Sequence, residues 1–266
     1  MGRFVLLHYF VAILISIGIT CATTDYCRPE LCDNVDGAPH IGCGNNGLWG
    51  PKCYGRPVIH PMTSKLRALI LKKHNIARNK IALGIVPGYL SADKMLEMSW
   101  NKELEIIAML NVKTCIYGHN PCSNTDKHRY VGQNIAMRIY SKNYVIETTD
   151  VTISSFIDLW FNEYVNCSMS YINNYGPNEN VKIGHFTQIV QSRAKKIGCA
   201  AATFPSEDGY FTQFYLVCNY SFGNVIGEPT YCVGPTASKC HFGRSISYRG
   251  LCSTKKKKHG VRNLID

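Results

Sequence analysis

The sequence predicts an α+β fold in which helices lie on an antiparallel sheet, with a disulfide-stapled N-terminal segment and a short cysteine-containing tail. Three stretches of helical periodicity come first, and two strand-like runs around the turn signal "PSEDG" follow them; helices and strands segregated in this way make layers rather than alternating βαβ units. The third observation is the cysteine usage. There are 13 cysteines in 266 residues, and no close Cys-x-x-Cys pair suggests zinc. They therefore read as disulfides formed in an oxidising compartment.

Residues 1–22 read as a signal peptide: Arg3 is the positive start, "FVLLHYFVAILISIGI" (4–19) the apolar run and "TCA" (20–22) the small-residue cleavage site. A single-span anchor is the rival reading of that run. Cleavage removes Cys21 and Arg3, so 13 cysteines become an even twelve and a net charge of +11 becomes +10. No later stretch is apolar enough to span a bilayer, and the predicted location is extracellular. There a basic protein meets glycosaminoglycans, anionic cell surfaces and lipid headgroups, and not nucleic acid.

Residues 23–62 carry Cys27, Cys32, Cys43 and Cys53 among glycines and prolines, with almost no apolar periodicity; such a segment has to be stapled to something larger. From Thr63 the pattern becomes helical. Leu66, Leu69, Ile70, Ala77 and Ile81 share one face, Thr63 or Ser64 caps the start and Gly84 ends it. A second helix is predicted over 101–117, burying Leu104, Ile107, Ala108 and Leu110, and a third over 150–167, capped by Asp150. The third has an apolar stripe of Ile153, Phe156, Ile157, Trp160, Phe161 and Tyr164. Strands are predicted over 195–204 and 210–220. Residues 227–266 form a basic tail with Cys232, Cys240 and Cys252, ending in "KKKKHGVRNLID". Four adjacent lysines repel one another and stay solvated.

No GxSxG, HExxH, P-loop or Rossmann fingerprint is present. The residues left to carry chemistry are His119, after the second helix, His185, after a glycine, and Glu163, bordering the apolar stripe of the third helix. A carboxylate in that position needs a partner. One histidine alone reads as packing; two with a nearby carboxylate make a metal site.

"GHFTQIVQSRAKKIGC" (184–199) and "YLVCNYSFGNVIGE" (215–228), with "HNIAR" (74–78), "CIYGHNPC" and "VGQNIA", resemble the ordered motifs of the CAP superfamily of cysteine-rich secretory, antigen 5 and pathogenesis-related proteins. The match covers 63–226, the CAP (SCP) domain, and "YCRPELC…HIGC…KC" resembles the insect venom and salivary antigen 5 branch. The resemblance implies a three-layer α-β-α sandwich with a central cleft lined by two histidines and two acids. Carried onto this sequence, these are His119, His185 and Glu163, with Gln133 where the family has its second acid. An amide cannot serve as a base or a charged ligand, so paired-carboxylate chemistry is weakened. Three ligands with an open position remain, which leaves zinc or copper(II) open in the cleft with no cofactor required. A further departure is Gln191, where the family commonly has tryptophan.

The resemblance also implies the disulfides Cys27–Cys43, Cys32–Cys122, Cys53–Cys115 and Cys199–Cys218. Elimination then pairs Cys167 with Cys232 and Cys240 with Cys252, which pins the tail near the end of the third helix. The implied function is that of a secreted, non-enzymatic antigen 5-type protein of saliva, venom or haemolymph, a ligand-binding or host-directed effector and allergen. The alternatives are a metal-dependent hydrolytic or redox activity at His119, His185 and Glu163, and a heparin-binding anti-haemostatic role for the basic tail. The partners left open are an extracellular target, a small hydrophobic ligand or a glycosaminoglycan. The sequons at Asn166 and Asn219 are expected to be unmodified.

Overall fold

The computed structural model describes residues 24–141, 147–176 and 181–256; the segment 1–22 expected to be a signal peptide and the end of the lysine-rich tail, 257–266, lie outside the described residues. The first helix, α1 (Ser64–Ala82), begins where the Thr63 hydroxyl accepts the Leu66 N–H, and it ends ahead of Gly84 at φ +67°. Both are the signals the sequence carried. The second, α2 (Lys102–Val112), is capped by the Asn101 side chain and is shorter than the expected 101–117, because Cys115 at φ +55° turns the chain out of the helix. The third, α3 (Thr149–Asn162), starts from Thr148, not Asp150; Asp150 sits in the first turn, where its charge still favours the helix N-terminus. Of its expected stripe, Ile153, Phe156, Ile157 and Trp160 are buried, whereas Phe161 and Tyr164 are partly buried, and the helix stops at Asn162 rather than at 167. A tight 3₁₀ turn, Glu163–Asn166, then leads to α4 (Met169–Asn173) and the short α5 (Gly184–Val190).

The sheet contains the two foreseen strands, β4 (Lys196–Pro205) and β5 (Phe211–Tyr220), and three that the sequence reading did not place. These are β1 (Val58–His60), β2 (Ser99–Trp100) and β3 (Gly132–Ser141). The strand order is β1-β4-β5-β3, with β2 against β4. β3 is ten residues long, but it opens with Gly132, Gln133 and Asn134, residue types that strands disfavour. Their amides are used for hydrogen bonds rather than for alternation.

Alternation along β4 and β5 divides the core into two layers. Ile197, Cys199, Ala201, Phe214 and Leu216 face α1, α3 and α5, whereas Ala200, Ala202, Phe204, Tyr215 and Val217 face α2. This is the α-β-α sandwich. α2 packs directly on the β4 backbone at Gly198, where a Cβ would lie 2.2 Å from the Glu105 nitrogen.

Among the described residues, five disulfides form: Cys27–Cys43, Cys32–Cys122, Cys53–Cys115, Cys199–Cys218 and Cys240–Cys252. The second and third close chain separations of 90 and 62 residues onto the stretch that follows α2. In the chain-entropy model each removes on the order of 4 kcal/mol of unfolded-state freedom. The expected Cys167–Cys232 bridge is not formed; both thiols are free. Elimination took no account of the backbone, which fixes the tail without that bridge. Thr230 N–H donates to Ile172 O, Gly234 N–H to Ser91 O, Ala237 N–H to Ala92 O and Cys252 N–H to Met95 O. Cys232 is left exposed beside Asp93, whose N–H it accepts, while the half-buried Cys167 thiol faces Ser168 O. Among the described residues, no helix is long and apolar enough to cross a membrane.

Candidate functional site

β3, α5 and the loop that leaves α2 surround a cleft of about 1220 Å3. His119, Gln133 and His185 all line it, together with the rings of Tyr117, Tyr130 and Tyr175. Glu163 does not line it.

Glu163 instead lies behind His185. One carboxylate oxygen meets His185 Nδ1 at 2.6 Å, and the other accepts the backbone N–H groups of His185 and Phe186, at 3.0 and 3.1 Å. Its side chain is only 13 % exposed. Trp160, one helical turn earlier, stacks on the His185 ring at 5.7 Å and 21°. The amides that Glu163 accepts are the first of α5, which a single carboxylate therefore caps. The other end of α5 is held by a buried cation. The Arg78 guanidinium donates to the carbonyls of Ile189, Gln191, Leu96 and Ala194. A seven-residue helix thus has an anion at its positive end and a cation at its negative end. Burial brings the Arg78 pKa down to about 9.

A buried polar chain from the sheet supports the same residue through its backbone carbonyl. His74 Nδ1 donates to Ile70 O, so its Nε2 accepts from the Tyr220 hydroxyl. Asn134 Nδ2 donates to that hydroxyl and to His185 O. Burial pushes the His74 pKa down to about 4 and drives Tyr220 up, so both are neutral near pH 7.

His119 is held differently. It is exposed, and its Nδ1 donates to Gln133 Oε1 at 2.8 Å. The Gln133 amide nitrogen donates in turn to Asn120 Oδ1 and Asn219 Oδ1. Both asparagines are locked in that orientation, because Asn120 Nδ2 donates to Cys122 O and Ser123 Oγ, and Asn219 Nδ2 to Leu104 O. Asn219 is fully buried, so its sequon is inaccessible in the folded state. The position that lacks an acid is built around an amide: two carbonyl oxygens point at a donor that a carboxylate does not have.

With both Nδ1 atoms used as donors, the acceptor atom left to each ring is Nε2. Residues predicted as ligands therefore divide: His119 and His185 face one cleft, whereas Glu163 orients His185 and is spent. Among the described residues, no group of three His, Cys, Asp or Glu side chains is placed to hold a metal ion. The sequence reading missed Trp160 as a partner of His185, and Asn120, Asn134, Asn219 and Tyr220 as its framework and that of His119. The one available signal was the density of amides in "GHNPC", "GQN" and "CNY".

Residues 71–220 match the model of the cysteine-rich secretory protein family, CAP. The chain belongs to the CAP family. It is 37% identical over 249 residues to venom allergen-1 of Aedes aegypti, covering 93% of this chain and 94% of that one. It is 32% identical over 203 residues to salivary antigen-5 of Dipetalogaster maximus, covering 74% of this chain and 78% of that one. The zinc-bound crystal structure of NaASP2 superposes with a TM-score of 0.56 at 26% identity, over 80% of this chain and all of that one. The CAP fold thus accounts for the sandwich and for the ordered motifs that border the cleft.

Proposed function

We propose that this CAP protein is a secreted, non-catalytic binding protein of the venom allergen and antigen 5 type, and that its cleft takes a ligand at the two imidazole Nε2 atoms. Secretion is supported by the leader-like residues 1–22, the five disulfides and the venom and salivary names of the relatives. The observation that carries the non-catalytic reading is the state of the acids. Glu163 already accepts three hydrogen bonds, and Gln133 is an amide held by two asparagines. Among the described residues, no free carboxylate stands beside an imidazole to move a proton in the cleft.

The donor set fits a divalent metal such as zinc or copper(II) only as an open two-imidazole site. His119 and His185 would hold the ion, and Glu163 would orient one of them from behind, as outer carboxylates do for ligating histidines. A bound ion would supply a Lewis-acidic anchor for an anionic ligand.

The test is titration calorimetry of the oxidised mature chain with zinc and then copper(II), beside a His119→Ala/His185→Ala variant, followed by a hydrolytic and redox substrate panel. The expected result is metal binding that vanishes in the double variant, with no turnover in either protein. Turnover that disappears with the two histidines would overturn the non-catalytic reading, and equal binding by both proteins would remove the imidazoles from the site.

A further inference from the structure

Away from the cleft, the cations fall into two kinds. Arg67, Lys73, Arg138 and Lys239 each meet a carboxylate within 2.9 Å. Lys127, Lys195, Lys196 and Lys255 meet none among the described residues, yet the backbone gathers them, together with the His128 ring, on one rim of the sandwich. Five chain stretches lie side by side there. Gly223 N–H donates to Tyr130 O, joining the 125–130 turn to the stretch after β5; Ser221 N–H donates to Lys196 O; Ser99 N–H donates to Lys195 O; and Glu97 N–H donates to Cys252 O. Neighbouring extended chains lie about 4.8 Å apart, so the row spans roughly 20 Å.

The side chains along the row bear on one another. Burial and then the charges of Lys195, Lys196 and Lys127 hold the His128 pKa down, and burial and then Lys255 and Lys195 hold Lys196 down. The acids nearest in sequence are directed elsewhere. Asp126 pairs with Arg28 and Arg129, and Glu97 acts on Tyr248. Lys196 is also pre-positioned, with its ammonium on the Ser99 hydroxyl at 2.8 Å. Like charges assembled without counter-charges repel one another in the free protein, and a bound polyanion relieves that repulsion.

We propose that this rim, formed by Lys127, His128, Lys195, Lys196 and Lys255, is a docking surface for a linear sulfated polysaccharide of the glycosaminoglycan class. The polymer's charges repeat along a line, as the cations do. An anionic membrane is the weaker fit, because the anionic lipids that attract polybasic segments are concentrated in the cytoplasmic leaflet, and a secreted protein does not meet that leaflet. The surface is distinct from the cleft and does not depend on what the cleft binds. It also differs from the tail-borne role expected from sequence, since three of its four lysines belong to the folded sandwich and Lys255 is anchored through Ser253.

The experiment is heparin chromatography and heparin-oligosaccharide titration of the oxidised mature chain across a sodium chloride series. Two variants of equal net charge are compared: Lys127→Ala/Lys195→Ala/Lys255→Ala, all exposed on the rim, and Lys52→Ala/Lys65→Ala/Lys72→Ala, exposed elsewhere. The rim variant is expected to weaken binding on the order of 10- to 100-fold and to lower the salt slope by about 2. The control is expected to shift it less than about three-fold, as long-range charge alone would. Equal shifts in the two variants would overturn the proposal. So would retention that survives in the rim variant but is lost on deletion of 257–266, equal binding to unsulfated hyaluronan, or binding to phosphatidylserine vesicles without binding to heparin.

Discussion

His185 and His119 line the same cleft, but His185 is fixed from three directions and His119 from one. A carboxylate, an indole face and the chain of Asn134, Tyr220 and His74 converge on His185, whereas a neutral amide alone holds the exposed His119. The difference follows from where each sits. His185 is in the first turn of a helix wedged between α3 and β3, so its surroundings are also the protein's core. His119 is in a loop after α2, secured to the N-terminal segment by Cys32–Cys122, so its surroundings can change without cost to the core. One wall of the cleft is therefore structural and the other is adaptable.

The sharpest test of that division is Glu163→Ala. It leaves two helix N–H groups and the His185 Nδ1–H without their acceptor. Removing a nearly buried partner of three hydrogen bonds should cost about 3 to 4 kcal/mol. For a chain of this size, each kcal/mol lowers Tm by roughly 2 to 4 °C, so a fall on the order of 10 °C by calorimetry is expected. A change below about 2 °C would mean that Glu163 does not support the structural wall.

Acid should weaken the same wall next. His74 is buried neutral with a pKa near 4, against about 6.5 when unfolded. Between those values the unfolded chain binds the extra proton, so stability rises with pH across the window. The contribution of His74 is fully present above about pH 6.5 and is lost as pH falls to about 4, about 3 kcal/mol at its limit. Denaturant midpoints measured from pH 7 to 4 should fall, and in His74→Gln the fall should be shallower. Parallel curves would break the link between His74 and the His185 support.

These two walls were not equally legible in the sequence. The helices around His185 announced themselves through period, the Thr63 cap and Gly84, and β4 and β5 through alternation. β3 did not, because Gln133 and Asn134 spend their side chains on hydrogen bonds and Gly132 admits Gln188 so closely that a Cβ would lie 2.0 Å from its Oε1. The pairing of His185 with Glu163 could be suspected only from the family resemblance, since 22 residues separate them and contact depends on how α5 returns to α3. The Cys167–Cys232 expectation failed because counting cysteines carries no distance. What was hidden in each case is a long-range contact, which neither propensity nor spacing encodes.

The adaptable wall yields the smaller effects. Gln133→Glu should destabilise by about 1 to 2 kcal/mol, because the new carboxylate faces the Asn120 and Asn219 oxygens that Gln133 now satisfies. Asn120→Asp combined with it should be worse, by like-charge repulsion. A Gln133→Glu protein as stable as the parent in urea would show that the two asparagines turn over freely and that the amide cradle is not fixed.

His119→Ala is expected to change stability by no more than about 0.5 kcal/mol, as substitutions at exposed positions do. Its effect on ligand capture is expected to equal that of His185→Ala if both Nε2 atoms contact one ligand. The two measurements together separate the roles: equal loss of metal binding with unequal loss of Tm is the signature of one cleft with a rigid wall and an adaptable one. If His119→Ala costs as much Tm as Glu163→Ala, the loop after α2 is as much a part of the core as α5, and the comparison between the two imidazoles fails. If the Tm values differ as expected but only His185→Ala loses metal, the ligand sits on the structural wall alone, and His119 serves the cleft mouth instead.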